Sequence, residues 1–128
     1  MKLLIDTHTF LWFIDSDPNL SDSALVHVKD GSNEIYLSVA SIWEIAIKVG
    51  TGKLRLAEPL RSFIHEQLEL NRINALSISA EHAAGVSSLP LHHRDPFDRL
   101  IVAQSIIEQM PIISKDAAFV AYGVVRLW

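Results

Sequence analysis

Five acidic residues stand beside apolar segments, where their carboxylates could act together. Asp6 directly follows the apolar run Lys2–Ile5, and Asp116 comes just after Pro111–Ser114. The other three open two apolar helical patterns and are Glu44, Asp95 and Asp98. In a parallel sheet covered by helices, ligands gather at the carboxyl ends of the strands. These acids therefore have positions from which they could converge on one edge.

Each acid also has a structural explanation when it is taken alone. In DPFDRLIVAQ, Asp95 precedes Pro96 and is a near-ideal N-cap with proline at the first helical position. Asp98 then falls in the first turn, where an acid suits the helix dipole. Glu44 could be a solvated helix residue, Asp6 could cap the next helix, and Asp116 could end its strand or cap a turn.

The group of acids is harder to explain by capping than its members are. Crowded carboxylates repel one another, and burying an unpaired charge is costly. A divalent cation would offset both costs. Oxygen ligands suit Mg²⁺ or Mn²⁺ rather than zinc, and water held by such an ion can attack a phosphodiester. The sequence therefore predicts either capping acids or a magnesium or manganese site.

The elements that must position these acids alternate along the chain. Strands are predicted over Lys2–Ile5, Glu34–Val39, Ile73–Ile78, Pro111–Ser114 and Val124–Trp128. Helices are predicted over Thr7–Ile14, Asp22–Lys29, Ile42–Val49, Leu60–Asn71, Ala80–Val86 and Pro96–Gln109, with a helical turn near Ala117–Ala121. The expected caps include Thr7 or Thr9, Ser21 and Ser79, with Glu81 and His82 exposed. Alternation predicts an α/β fold: one domain over residues 1–128, with a mainly parallel sheet and helices on both faces.

Composition narrows the class further. The 128 residues are 49% hydrophobic and 20% charged, with a formal net charge of −4, so the chain can bury one core and is not strongly basic. Mild acidity does not exclude nucleic acid, because a bound divalent ion reverses the local sign. There is no cysteine, no apolar run of membrane-spanning length and no signal-peptide pattern at the N-terminus. We therefore expect a soluble cytoplasmic protein.

Four ordered blocks, which together cover nearly the whole chain, add a resemblance. They are LLIDTHTFLW from Leu3, LSVASIWEIAIKVGTGKL from Leu37, HHRDPFDRLIVAQS from His92 and PIISKDAAFVAYGV from Pro111. The sequence resembles the PIN-domain ribonucleases, and in particular the VapC-like toxins of type II toxin–antitoxin modules. The resemblance implies a three-layer α/β/α domain and an endoribonuclease that depends on Mg²⁺ or Mn²⁺.

The resemblance also implies roles for particular residues. The family's acidic quartet, both catalytic and metal-binding, falls on Asp6, Glu44, Asp98 and Asp116. Ser114 stands where the family has Ser or Thr, and Asp95 lies one turn before Asp98, so both are expected to support the ligands without binding the metal. Whether one ion or two would bind is left open.

Basic and aromatic residues near the acidic blocks are weaker candidates. A phosphate-facing rim could be formed by Arg94, Arg99, Lys48 and Lys115, although each alone is more commonly an ordinary surface charge. The loop histidines His92 and His93 are expected to be solvated rather than to contact RNA. Trp43 is expected to pack into the apolar face of its helix.

The resemblance predicts three partners: an RNA substrate, a cognate antitoxin protein and a second copy of the chain in a homodimer. The first helices, with Phe10–Phe13, are a candidate antitoxin groove. A PIN-like module that binds RNA or protein without catalysis is the main alternative, although all four acids are present. A phosphotransfer domain built on Asp6 is a second alternative, but its supporting residues are missing.

Overall fold

The computed structural model describes all residues from Met1 to Trp128 as a five-stranded sheet between helices. The strands are β1 (Lys2–Ile5), β2 (Glu34–Ser38), β3 (Ile73–Leu76), β4 (Ile112–Ile113) and β5 (Arg126–Leu127). The helices are α1 (Thr7–Ile14), α2 (Asp22–Lys29), α3 (Val39–Gly50), α4 (Leu60–Leu70), α5 (Ala80–Gly85) and α6 (Pro96–Glu108). Two 3₁₀ segments complete the chain, at Val86–Ser88 and Ala117–Tyr122.

The sheet is parallel throughout and has the order β3-β2-β1-β4-β5. The order reverses direction beside β1, which pairs with both β2 and β4. Such a reversal leaves a crevice outside the carboxyl ends of the central strands, because the connections leave toward opposite faces. The α/β class and the three-layer arrangement predicted from the sequence are confirmed.

Side chains of the central strand alternate between two apolar clusters, one on each face of the sheet. Leu3 and Ile5 pack with helices α1 to α4, whereas Leu4 packs with α6 and with Phe119 of the second 3₁₀ segment. Parallel strands that are buried on both faces read as continuous apolar runs, which is why Lys2–Ile5 carries no polar alternation. The two clusters hold the carboxyl ends of β1 and β4 rigidly side by side.

Several boundaries and environments differ from the sequence prediction. Helix α3 begins at Val39, because the Ser38 hydroxyl accepts the Ala40 backbone N–H and ends the strand. The cap of α1 is Asp6 rather than Thr7 or Thr9, whereas Ser21 and Ser79 cap their helices as predicted. His82 was wrongly expected at the surface: it is 2% exposed.

Trp43 was also wrongly placed by the sequence prediction. It is 57% exposed, and its indole makes an edge-to-face contact with Phe97 at 5.1 Å between ring centroids. The helical pattern of α3 identified an apolar stripe but not which part of it the neighbouring helices cover. No helix in the structure is both long and apolar enough to cross a lipid bilayer.

Candidate active site

Asp6 stands where β1 ends and α1 begins, and both of its carboxylate oxygens are engaged. Oδ1 accepts the backbone N–H of Thr9 at 3.0 Å and the Thr9 hydroxyl at 2.6 Å, while Oδ2 accepts the Ser114 hydroxyl at 2.5 Å. The residue is 6% exposed. A carboxylate oxygen has two lone pairs, so Oδ2 retains one for a further partner. Asp6 is thus a buried, fixed acid with one oxygen still able to bind.

Ser114 joins the ends of the two central strands. Its hydroxyl donates to Asp6 and accepts the backbone N–H of Asp116 at 3.0 Å, and its side chain is fully buried. The pairing of Ile5 with Ile113 puts the residues after β1 and β4 next to each other. The strand register therefore brings Asp6 and Asp116 to the same edge through one shared serine, as expected for a residue that orients carboxylates.

Glu44 comes from the second turn of α3 and is held from the side of α1. Its Oε1 accepts the Thr7 hydroxyl at 2.6 Å, and its Oε2 lies 3.5 Å from the Lys48 ammonium. The Glu44 side chain is 13% exposed, so it is not the solvated residue that a typical glutamate would be. Thr7 had been considered only as a cap, and it instead fixes an acid.

The two acids at the start of α6 have different environments. Asp95 Oδ1 accepts the backbone N–H groups of Phe97 at 2.8 Å and Asp98 at 3.3 Å, which is the predicted capping role. The Asp98 carboxylate accepts no hydrogen bond within the chain and points into the acid cluster. Burial first, and then the negative charge of Asp95, raise the pKa of Asp98 to about 7. This pKa also includes a lowering effect of His93 and smaller raising effects of the Glu44 and Asp6 charges, so these acids lie near Asp98.

Asp116 has the opposite electrostatic environment. Partial burial raises its pKa, but the hydrogen bond from His93, the backbone N–H of Ala118 and the charge of Arg126 lower it by more, so the net pKa lies below the usual range. His93 Nε2 lies 2.7 Å from Asp116 Oδ2, and Ala118 N lies 2.9 Å from Asp116 Oδ1. Asp116 is therefore stabilised as an anion.

The donor atoms at this edge fit a divalent ion. His93, Asp98 and Asp116 each offer one ligand atom, and these atoms lie within 4.8 Å of one another. The pKa of Asp98 is raised first by burial and then by neighbouring acids, so its anionic form is poorly compensated within the chain and a cation would relieve it. The remaining donors are carboxylate oxygens, which suit Mg²⁺ or Mn²⁺. A hard cation therefore fits these residues. The three ligand atoms that lie within 4.8 Å of one another come from His93, Asp98 and Asp116, and not from Asp6 or Glu44.

The basic residues proposed as a phosphate rim have unequal freedom. Arg99 donates to the backbone carbonyls of Val86, Leu89 and Pro90, so most of its guanidinium N–H groups hold the loop before α6. Lys48 faces Glu44, and the Lys115 ammonium lies 5.7 Å from the Trp12 ring centroid. Arg94 is exposed and is the freest of the four.

Two residues near Asp116 were not found by sequence reasoning. His93 was expected to be solvated, but its side chain is 9% exposed and lies between Phe119 and Tyr122. Arg126 donates from Nε to the Ser114 carbonyl at 2.9 Å and adds positive charge beside Asp116. The available signal was an aromatic pair, Phe119 and Tyr122, that follows Asp116 at a helical spacing and could cover a histidine.

The chain is a parallel α/β/α domain with acidic residues gathered where the strand order reverses beside β1. Comparison with known protein families agrees with this class of fold. Residues 3–125 match the model of the PIN domain, so the chain belongs to the PIN domain family. The resemblance drawn from the four sequence blocks is confirmed.

Two relatives from Mycobacterium tuberculosis are similar in sequence. Ribonuclease VapC22 is 26% identical over 115 residues, which is 89% of this chain and 86% of that protein. Ribonuclease VapC16 is 40% identical over 57 residues, which is 44% of this chain and 40% of that protein. The first similarity extends over nearly all the elements described above, and the second over fewer than half of the residues.

Solved structures share the fold at low sequence identity. The crystal structure of VapBC2 from Rickettsia felis, bound to a DNA fragment from its promoter, has a TM-score of 0.74 at 18% identity and covers 98% of this chain and 97% of that one. FitAcB from Neisseria gonorrhoeae has a TM-score of 0.65 at 20% identity and covers 98% of this chain and 96% of that one. At these identities the likeness establishes the architecture only.

Proposed function

We propose that this chain is a metal-dependent endoribonuclease that acts as the toxin of a toxin–antitoxin pair. The observation that supports this most directly is the crowding of acids at this edge: ligand atoms of Asp98 and Asp116 lie within 4.8 Å of each other, and burial and neighbouring acids raise the pKa of Asp98. A capping role would not require a half-buried carboxylate among other carboxylates. Similarity to two ribonucleases over parts of the chain supports RNA as the substrate.

In this proposal Asp6, Glu44, Asp98 and Asp116 would hold Mg²⁺ or Mn²⁺. When bound, the ion supplies positive charge that offsets the scissile phosphate and lowers the pKa of a water molecule. Asp6 is oriented for this task by Thr9 and Ser114. Attack by water needs no 2′-hydroxyl, so we expect products with a 5′-phosphate and a 3′-hydroxyl.

Other residues at the carboxyl edge of the sheet position the four acids or could contact the RNA. Asp95 holds the first turn of α6 and so fixes where Asp98 points. Thr7 holds one Glu44 oxygen, and Lys48 approaches the other, which leaves the glutamate with limited freedom. Arg94 is the best placed of the four basic candidates to contact RNA phosphate, because the other three already have partners within the chain.

Partners follow from the structures that this fold resembles. The VapBC2 and FitAcB structures and a toxin–antitoxin complex from Klebsiella pneumoniae are all similar to this chain in fold. We therefore propose a cognate antitoxin, with the half-buried aromatic side chains of α1 as part of the antitoxin surface. The homodimer is proposed on the family resemblance of the sequence alone. The cytoplasmic location and the single domain over residues 1–128 stay predictions from the sequence.

The test uses purified protein, free of any antitoxin, incubated with total cellular RNA in Mg²⁺, in Mn²⁺ or in excess EDTA. The matched control is Asp6→Asn, because asparagine can still accept the Thr9 N–H and cap α1 while it lacks the charge. We expect discrete cleavage with metal, and loss of cleavage both with EDTA and in the variant.

A folded wild-type protein that cleaves no RNA, and that shows no Mn²⁺ binding by calorimetry, would contradict the proposal. That result would favour the alternative function, a PIN-like module that binds RNA or protein without catalysis. If cleavage is found instead, mapping the ends of the cleaved RNA would identify the substrate.

A further inference from the structure

His93 is held by two aromatic neighbours and by partners on both ring nitrogens. Its ring lies 4.9 Å from Phe119 and 5.5 Å from Tyr122 between centroids, and it is nearly parallel to Tyr122 at 11°. Nδ1 lies 3.1 Å from the Tyr122 hydroxyl oxygen, and Nε2 lies 2.7 Å from Asp116 Oδ2. A solvated loop histidine has no reason to make this set of contacts.

The hydrogen-bond partners determine which nitrogen carries the proton of the neutral ring. The Tyr122 oxygen accepts the backbone N–H of His93 at 2.7 Å, which leaves the tyrosine proton free to point toward Nδ1. A carboxylate can only accept, so Nε2 must donate to Asp116. The arrangement in which every group is satisfied is a bare Nδ1 and a protonated Nε2.

From this geometry we propose that His93, with its Nε2 proton held by Asp116 and its bare Nδ1 facing Tyr122, is a positioning residue that orients the Asp116 carboxylate. Asp116 Oδ2 takes the His93 Nε2–H, and Oδ1 takes the Ala118 N–H, so the carboxylate plane is fixed from two sides. The consequence for catalysis rests on the proposed nuclease function. The hydrogen bonds that run from Tyr122 through His93 to Asp116, here called the relay, do not depend on that function.

The main competing arrangement makes His93 a metal ligand. Its nitrogen lies within 4.8 Å of ligand atoms of Asp98 and Asp116, which is close enough for a shared ion. Coordination through Nε2 would move the ring proton to Nδ1, turn the Tyr122 hydroxyl away and remove one donor from Asp116. Because the existing hydrogen bonds satisfy all three groups, the relay is the arrangement that the contacts favour.

The first test is nuclear magnetic resonance on metal-free protein labelled with ¹⁵N-histidine, at neutral to mildly alkaline pH. Long-range ¹H–¹⁵N correlations distinguish the two tautomers, and the His93→Gln spectrum assigns the signal by its loss. We expect a fixed Nε2–H ring in the wild type and in Tyr122→Phe, because Asp116 still accepts from Nε2, and a mixture of tautomers in Asp116→Ala. A Nδ1–H ring, or one that exchanges freely in the wild type, would overturn the relay.

The second test compares His93→Gln with His93→Ala, using RNA cleavage and the Mn²⁺ dissociation constant from calorimetry. Glutamine can present an amide N–H near the place of Nε2 and so can orient Asp116. We expect His93→Ala to lose about 10- to 100-fold in cleavage rate per folded molecule, as is typical for partners that orient metal ligands. His93→Gln should recover most of that loss, and Tyr122→Phe should lie between the two.

A third readout, electron spin-echo modulation of bound Mn²⁺, detects any ¹⁴N ligand directly. Absence of nitrogen coupling in the wild type is expected, and its presence would make His93 a ligand. If His93→Ala lowers only stability, with cleavage rate and Mn²⁺ affinity unchanged, the histidine is a packing residue and the proposal fails. If the wild type neither binds Mn²⁺ nor cleaves RNA, the nuclease function fails, and the tautomer measurement alone decides the relay.

Discussion

A histidine paired with a carboxylate lies near each end of helix α6, and the two pairs have different surroundings. Near the C-terminal end, His82 Nε2 lies 2.9 Å from Glu108, while its Nδ1 accepts the Ser79 backbone N–H at 3.0 Å. Near the N-terminal end, His93 Nε2 lies 2.7 Å from Asp116. In both pairs the partners of the ring nitrogens place the proton on Nε2.

The difference lies in the charges around each pair. The pair at the C-terminal end joins α5 to α6 through one acid, and the Glu108 side chain is 40% exposed. At the N-terminal end, three further acids face Asp98, and the pKa of Asp98 rises to about 7 mainly through burial. Asp95 by itself supplies the side-chain cap of α6, so capping does not require the other acids. The crowding of acids at the N-terminal end of α6 is therefore a feature that helix capping does not explain.

The largest effect is expected when the two acids at the start of α6, Asp98 and Asp95, are substituted one at a time. We expect Asp98→Asn to reduce RNA cleavage by about 100- to 1000-fold, in the range found when one charge-stabilising group is removed. Its free energy of unfolding in EDTA should not fall, because the carboxylate accepts no hydrogen bond in the chain. Asp95→Ala should show the reverse: a loss of about 1 kcal/mol from the missing cap, with cleavage within about tenfold of wild type.

Cleavage rates and urea unfolding of the same preparations check this prediction. A comparable loss of cleavage in both variants would mean that the two acids act together on the metal. A marked loss of stability in Asp98→Asn would mean that Asp98 is a structural residue.

A smaller effect is expected at the other end of the helix. His82→Ala should lower the free energy of unfolding by about 2–3 kcal/mol, because it leaves a buried cavity and an unpaired Ser79 N–H. Mn²⁺ affinity and cleavage per folded molecule should not change. Glu108→Gln is the matched control, since its amide oxygen can still accept from Nε2. A loss of metal affinity in His82→Ala would show that the two ends are coupled through α6.

Elements with local signals were predictable from the sequence. The apolar run Lys2–Ile5 gave a buried strand, and the Asp95-Pro96 pair gave the helix start, because both depend on residues close in the chain. The strand-end position of Asp6 was enough to place it at the carboxyl edge, since parallel sheets put ligands there. For the same reason Asp116 was correctly expected at that edge.

Environments that depend on distant partners were not predictable. His93 is buried by Phe119 and Tyr122, which follow it by 26 and 29 residues, and no local pattern marks a loop histidine for burial. His82 is buried because α6 lies across α5, and Trp43 stays largely exposed although Phe97 of α6 contacts its ring. For each of these residues, burial or exposure depends on contacts between different elements. Hydrophobic periodicity does not predict how such elements pack together.

The smallest predicted effect is a pH dependence of stability that comes from Asp98. Its pKa is raised from 3.8 to about 7 in the folded chain, so between these values the folded protein keeps a proton that the unfolded chain has lost. Stability should therefore fall as pH rises from about 4 to about 7 and then level off. The full shift would correspond to about 4 kcal/mol, and partial exposure and screening reduce the expected loss to about 1–2 kcal/mol.

Urea unfolding in EDTA at pH 5.5 and pH 8 measures this loss, with Asp98→Asn as the control that removes the titrating group. The wild type should lose about 0.5–1 kcal/mol relative to the variant, because the interval from pH 5.5 to pH 8 covers about half of the titration window. Parallel curves would show that Asp98 titrates as an ordinary surface acid. Added Mg²⁺ at pH 8 should restore stability to the wild type alone, because only the wild type retains the complete set of carboxylates that would bind it. If the variant were stabilised equally, the ion would bind elsewhere, and the two ends of α6 would differ in charge without differing in function.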